Sequence, residues 1–441
     1  MNRAMVIVGV SCLAACPDGG TGEGTSGTTG SGTSSGTSSS SGADVTGSET
    51  TVGSSGTTGE PEVDGLVLDF EVVPWDPEAP FEITEMRFLP GSTEFLLLDK
   101  NGTVRHYDLV EGEAVALGSF DLDITFSFND CGLLSLTFDP DFDDNGLFYV
   151  GACIDHDFSS VYRLMWDAGD YGAVVDSQAL IITEGDVNAE NPWHNVSSIG
   201  FFSDETMWVG FGDKTVQSHG QDVGTNLSTM LRILPDRDPM GPGGYEPAPG
   251  NPFPENPDVW AYGLRAPFRV AMDDLDRLVV GDVGANSWEE VDLVDEPGLN
   301  FGWAVAEGLC DADCEGLTDP IVTWRHGANE FTADDPEALP VNRWVVWVGA
   351  FYDPPAGLDR YQGLMTGRFL FGDMCSGWVR GLELDDQGTV VYNEPAGHLE
   401  NAAAWDVGPD GYLYTVASGG CVNSKFGDDP AVMYRTVLVG G

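Results

Sequence analysis

Three stretches decide how this sequence folds: "DETMWVGFGD" (204–213), "DDLDRLVVGD" (273–282) and "GRFLFGD" (367–373). Each runs from an acidic or glycine turn through a short apolar strand into Gly-Asp. Related turn–strand units without the final pair are "NGTVRHY" (101–107), "NGLFYV" (145–150) and "DGYLYTV" (410–416). From about residue 63 onward the pattern is β almost throughout, and no long stretch has the 3.6-residue period of a helix. One strand motif returning at irregular intervals along a long all-β chain predicts a propeller of large blades. A sandwich is the alternative, but it is usually much shorter, about 100 residues in the immunoglobulin case. The first strand, "LVLDFEVV" (66–73), and the last, "AVMYRTVLV" (431–439), are expected to pair and close the ring.

One hairpin can be set in register. "CGLLSLTFDPDFDDNGLFYVGAC" (131–153) predicts strands at 133–138 and 147–151 around a turn rich in Asp. Residues whose numbers sum to 284 would then face each other. Cys131 and Cys153 satisfy that sum and are expected to form a cross-strand disulfide. Cys310 and Cys314 flank "DAD" and could close a small loop, which leaves Cys375 and Cys421 for each other. Spacing alone allows 15 connectivities for six cysteines. No cysteine spacing matches a zinc site. "DFDDNG" (141–146) fits the first half of a calcium-binding EF-hand loop, but its twelfth position is Ala152, so a hairpin turn is the expectation.

The chain has 441 residues, with 72 acidic against 18 basic side chains and a formal net charge of −54. Such a field repels phosphate backbones and anionic lipid, which excludes nucleic acid as a partner. The acidity reads as a property of the surface, with no part in chemistry. The N-terminus, "MNRAMVIVGVSCLAACPDGG" (1–20), places Arg3 before an apolar run too short to span a bilayer. Residues 1–15 read as an export signal, and Leu13-Ala14-Ala15-Cys16 resembles a lipobox in which Cys16 carries lipid. Residues 16–62 are almost wholly Gly, Ser and Thr and are expected to be a flexible tether. The folded part is then 63–441. It would be exported and held at the cell envelope, touching membrane only through its anchor.

The ordered set of longer motifs carries the chemistry. It comprises "CGLLSLTFDPDFDDNGLFYV", "HNVSSIGFFSDETMWVGFGD", "STMLRI", "NPFPENPDVWAYGLRAPFRVAMD", "GDVGANSWEEVDLVDEPGLNFGW" and "FGDMCSGWVRGL". Together and in this order they resemble the glucose/sorbosone dehydrogenases, which include soluble quinoprotein sugar dehydrogenases and bacterial relatives of hedgehog-interacting protein. The resemblance covers roughly residues 80–420. It implies an all-β, six-bladed propeller that oxidises a sugar with pyrroloquinoline quinone and Ca2+.

Residue by residue, the resemblance implies that His194 is the catalytic base and that Arg265, in "YGLRAP", holds the quinone. It implies that Gly284 and Ala285 offer backbone carbonyls to calcium, a hard ion that accepts oxygen ligands. Asp130 stands where the family has Glu or Gln in the same pocket. Lys214 adds a cation where relatives often have Gly or Gln and is expected to replace a lost contact to the quinone, and Glu289 and Glu290 align with an acidic pair after the calcium loop. The sequence also departs from the pattern: Ala266 follows Arg265 in place of Asn, "HNVS" replaces "HNGG", and Ser228-Thr229 replaces Gly-Lys. Burying three quinone carboxylates calls for charge-assisted partners, and this chain has few cations. Two other readings therefore stay open: a catalytically silent propeller that binds carbohydrate or protein, and a calcium-dependent lactone or phosphoester hydrolase. The hydrolase would need several acidic or Asn ligands converging on the axis.

Overall fold

The computed structural model describes residues 65–75, 82–123, 130–153, 155–189, 191–312, 314–326, 344–418 and 431–440. The export signal, Cys16, the tether and Cys421 lie outside the described residues. The described chain forms six antiparallel sheets, five of four strands and one of five. The innermost strands of blades 1 to 6 are Ile83–Phe88, Leu133–Phe138, Val196–Phe201, Pro267–Met272, Val346–Phe351 and Ala402–Val407. Each packs on the next, and the sixth packs back on the first, which makes the ring. Among the described residues no helix is long and apolar enough to cross a membrane.

Ring closure follows the expectation. Leu68–Val72 pairs antiparallel with Val432–Leu438, from Leu68 opposite Leu438 to Val72 opposite Tyr434. The start of the folded chain thus supplies the outermost strand of blade 6, whose other strands come from its end.

Between blades the core is built of large rings. Trp347 of blade 5 stacks on Trp405 of blade 6 with centroids 5.0 Å apart. Trp324 of blade 4 meets Trp378 of blade 5 edge-on at 4.8 Å. Such pairs add about 0.5–1.5 kcal/mol beyond the area they bury.

The blade 2 hairpin confirms the disulfide and corrects the register. Ser135 lies opposite Gly151 and Leu136 opposite Val150, so the pairs sum to 286 in place of 284. An irregularity between Leu133 and Ser135 shifts the register, since Leu133 faces Ala152. That shift lets Cys131 and Cys153 meet, with Cα atoms 5.3 Å apart and a disulfide between them. Closing a loop of this size is worth roughly 3 kcal/mol in the chain-entropy account. Cys310 and Cys314 are bridged as well. Cys375 is disulfide-bonded too. The hairpin turn contains one helical turn, Phe142–Asn145, and Arg237 pairs with Asp139 at 2.5 Å and Asp141 at 2.8 Å. An arginine offsets the charge of those acids.

Candidate active site

Each blade is entered through a loop that precedes its innermost strand, so these loops collect at one end of the axis. The loops into blades 2, 3 and 4 carry Asp130, His194 and Arg265. All three line one axial cavity, with Leu134, Ala266, Phe268, Val283 and Val345 as its apolar wall.

His194 sits on a left-handed backbone, φ 56°, and is nearly buried. For a residue with a Cβ that conformation costs on the order of 1–3 kcal/mol and persists only where the surroundings fix it. Three contacts do so. Asp130 Oδ2 accepts the His194 backbone N–H at 2.6 Å, and the ring Nδ1 lies 2.5 Å from Asp213 Oδ1. Asp213 Oδ2 in turn accepts Trp303 Nε1–H at 2.7 Å. A carboxylate can only accept, so Nδ1 is the protonated nitrogen and, whenever the ring carries a single proton, Nε2 keeps its lone pair. Among the described residues Nε2 has no partner. Burial would raise the Asp213 carboxyl, but His194, Arg265 and the Trp303 donor outweigh it and hold the group below its ordinary value. Asp130 goes the other way: burial raises it, and His194 and Lys214 only partly offset this.

Arg265 is anchored rather than free. Its Nη1 donates to the carbonyls of Val283 and Gly284, each at 2.8 Å, and its guanidinium lies 5.5 Å from the Trp303 ring centre. Nη2 and Nε make no hydrogen bond among the described residues. The Gly284 carbonyl, expected to face calcium, is thus already engaged by Arg265. The N–H groups of Ala285, Asn286, Ser287 and Trp288 all donate to Glu307 Oε1 at 2.9–3.1 Å. That loop wraps an internal carboxylate.

Lys214 is placed differently from its expected role. It is 1% exposed, it is absent from the cavity wall, and its Nζ donates to Asn195 Oδ1 at 2.7 Å. Burial pushes its ammonium down to about 8, with Asp130, Asp155 and Asp157 opposing. It supports the His194 loop from behind.

Three acids beside the site went unrecognised as a group. Asp282, Glu290 and Asp292 are all buried, with carboxylate oxygens within 4.8 Å of one another. Asp282 and Glu290 face each other across the second and third strands of blade 4, and Asp292 is two residues further along the same face. Asp282 accepts the N–H groups of Arg265 and Ala266, and Glu290 accepts that of Gly308. Among the described residues neither oxygen of Asp292 has a partner. Burial and mutual repulsion push Glu290 and Asp292 well above the carboxylate range and Asp282 up to about 7. Such an all-oxygen set is chemically suited to a hard divalent cation. The signal was the period-2 spacing in "EEVD", which puts Glu290 and Asp292 on one face and Glu289 on the other. Glu289 indeed bonds His326 at 2.7 Å and the Val346 N–H at 2.9 Å, toward blade 5.

The site is thus a propeller cavity that holds an imidazole oriented by a carboxylate and, beside it, an arginine. The profile of the Glucose / Sorbosone dehydrogenase family matches residues 78–422, and the chain belongs to that family. An uncharacterized protein of Synechocystis is 24% identical over 389 residues, which cover 81% of this chain and 84% of that one. The HIPL1 protein of Arabidopsis thaliana is 31% identical over 133 residues, 26% of this chain and 19% of its own length. Among solved structures, the PQQ-bound aldose sugar dehydrogenase of Streptomyces coelicolor superposes with a TM-score of 0.60 at 21% identity, over 84% of this chain and 98% of that one. The apo soluble aldose sugar dehydrogenase of Escherichia coli gives 0.62 at 17% identity, over 84% and 100%. At these identities the structures establish the shared fold.

Proposed function

We propose that the protein oxidises an aldose at C1 to the lactone, with pyrroloquinoline quinone as hydride acceptor and calcium beside the site. We further propose that lipid on Cys16 holds it at the cell envelope. The observation that carries the enzymatic reading is the unpartnered Nε2 of His194 in a cavity shared with Arg265 and Asp130. The residues present fit such a cofactor at two points. The unspent nitrogens of Arg265 can meet a carboxylate, and the apolar wall suits a flat ring system. The calcium ligands would be Asp282, Glu290 and Asp292, whose carboxylates converge and of which Asp292 has both oxygens unpartnered among the described residues. When bound, the quinone supplies the hydride acceptor and calcium polarises it.

The chain's own residues supply the rest. Nε2 takes the proton of the anomeric hydroxyl, and Asp213 stabilises the imidazolium that results, which fixes ring orientation and tautomer together. Ala266, Pro267 and Phe268 help keep water from the reacting face.

The test is an absorbance titration with quinone and calcium, followed by dye reduction with a panel of aldoses. His194→Asn is expected to lower the rate by about 10²–10⁴ while quinone binding persists. Asp292→Asn is expected to weaken calcium binding about tenfold or more by calorimetry. If neither quinone nor calcium saturates the protein in the micromolar range, the enzymatic reading fails and the domain is a binding propeller.

A further inference from the structure

The Cys131–Cys153 bridge lies next to two residues of the cavity wall, Asp130 and Asn195, as well as at the open end of a hairpin. Cys131 directly follows Asp130, whose side chain holds the His194 backbone at 2.6 Å. The Asp130 carbonyl accepts Asn195 Nδ2–H at 3.2 Å, and Asn195 Oδ1 lies 3.9 Å from Cys131 Sγ. Ser159 Oγ donates to that same Oδ1 at 3.0 Å and sits 3.8 Å from Cys153 Sγ. Both cysteines are fully buried. The sulfurs are therefore wedged between blade 2 and the His194 loop of blade 3.

We propose that this disulfide is a positioning element of the site. By tying Asp130 to the end of the second strand of blade 2, it fixes the carboxylate that holds His194 in its left-handed conformation. Three features favour this over a purely structural staple. The sheet beneath is already paired through Leu133–Phe138 and Leu147–Cys153, and the ring is closed at blade 6, far along the chain from this bridge. The bridge is also joined to Asp130 by a single peptide bond. Finally, His194 has a conformation that needs external restraint. Loss of the bridge should release Asp130 first, then the imidazole and its Asp213 bond, while distant blades keep their geometry.

The catalytic consequence rests on the dehydrogenase reading; the positional claim does not, and its test needs no activity. Protein labelled with ¹⁵N-histidine has built-in controls: His106, held by Glu94 and Tyr171 in the blade 1–2 region, and His326, held by Glu289. In Cys131→Ser/Cys153→Ser, the hydrogen-bonded Nδ1 proton of His194 is expected to shift or vanish, while the signals of His106 and His326 stay in place. His194→Asn assigns the resonance. Unchanged His194 signals overturn the inference, and so does a change in all histidines together, which marks a global staple. If the double variant does not fold, Asp130→Ala with the bridge intact, which removes the acceptor of the His194 N–H, must give the same selective change; an undisturbed His194 there also overturns it. Where the native holoprotein reduces dye, the double variant should lose about tenfold in kcat with KM nearly unchanged. Absence of dye reduction by the native protein would sink the dehydrogenase reading and leave the spectroscopic answer standing.

Discussion

One glycine decides where His194 can sit. A Cβ on Gly212 would come within 2.6 Å of His194 Cβ and 2.7 Å of its carbonyl oxygen. The Gly-Asp pair at 212–213 thus does two jobs: the glycine admits the histidine loop, and the aspartate grips the ring. Asp213→Asn tests the second. Its amide is nearly the same shape but can donate to Nδ1, which would draw the ring proton to Nε2 and abolish the base. Dye reduction is expected to fall by about 10²–10⁴ with quinone affinity unchanged. A rate within twofold of the parent would mean that Asp213 does not set the tautomer.

The same dipeptide recurs at strand scale with another use. Asp282 accepts the N–H groups of Arg265 and Ala266, just before the innermost strand of its own blade. Asp373 does likewise for Val345 and also accepts from Cys375 and Ser376. These two are staples between adjacent strands, and only in blade 3 does a histidine side chain take the place of backbone. The strands were legible because turn, apolar run and Gly-Asp are local signals. The role of Asp213 was not, because it depends on which partner the fold brings across. Lys214 was misread for a related reason: a sequence shows a cation but not its direction. The blade 2 register slipped because an irregularity inside a strand leaves no mark in the apolar pattern.

Asp373 also predicts a pH effect. Burial, reinforced by Glu289, pushes its carboxyl up to about 7. Between the unfolded value and 7 the folded state keeps a proton that the unfolded chain has released. Its contribution to stability is full below the unfolded value and is lost as pH rises through about 7. Without added metal, Tm is therefore expected to fall between pH 5 and 8, by on the order of a few degrees. Asp373→Asn should flatten that decline. An equally steep decline in the variant would assign the effect to other acids.

At the scale of the whole molecule, 54 excess negative charges set up a field that repels phosphate backbones and anionic lipid. The lipid proposed on Cys16 would hold at a membrane a protein that its charge repels from one. Expressed in a Gram-negative host, the chain is expected to incorporate labelled fatty acid and to sediment with membranes. Cys16→Ser should abolish both, and equal labelling of that variant would remove the anchor from the proposal.

The closure of blade 6 gives that attachment a mechanical side. Everything before Gly65 leads into the five-residue strand Leu68–Val72, so tension along the N-terminal segment loads that strand before any other. Its first rung is Leu68 opposite Leu438, at the far end of the chain. A pull between the two chain ends therefore unzips the pair one rung at a time, the direction in which a β-ladder resists force least. The clasp would yield while Asp130, His194 and Arg265, carried by blades 2 to 4, remain in place.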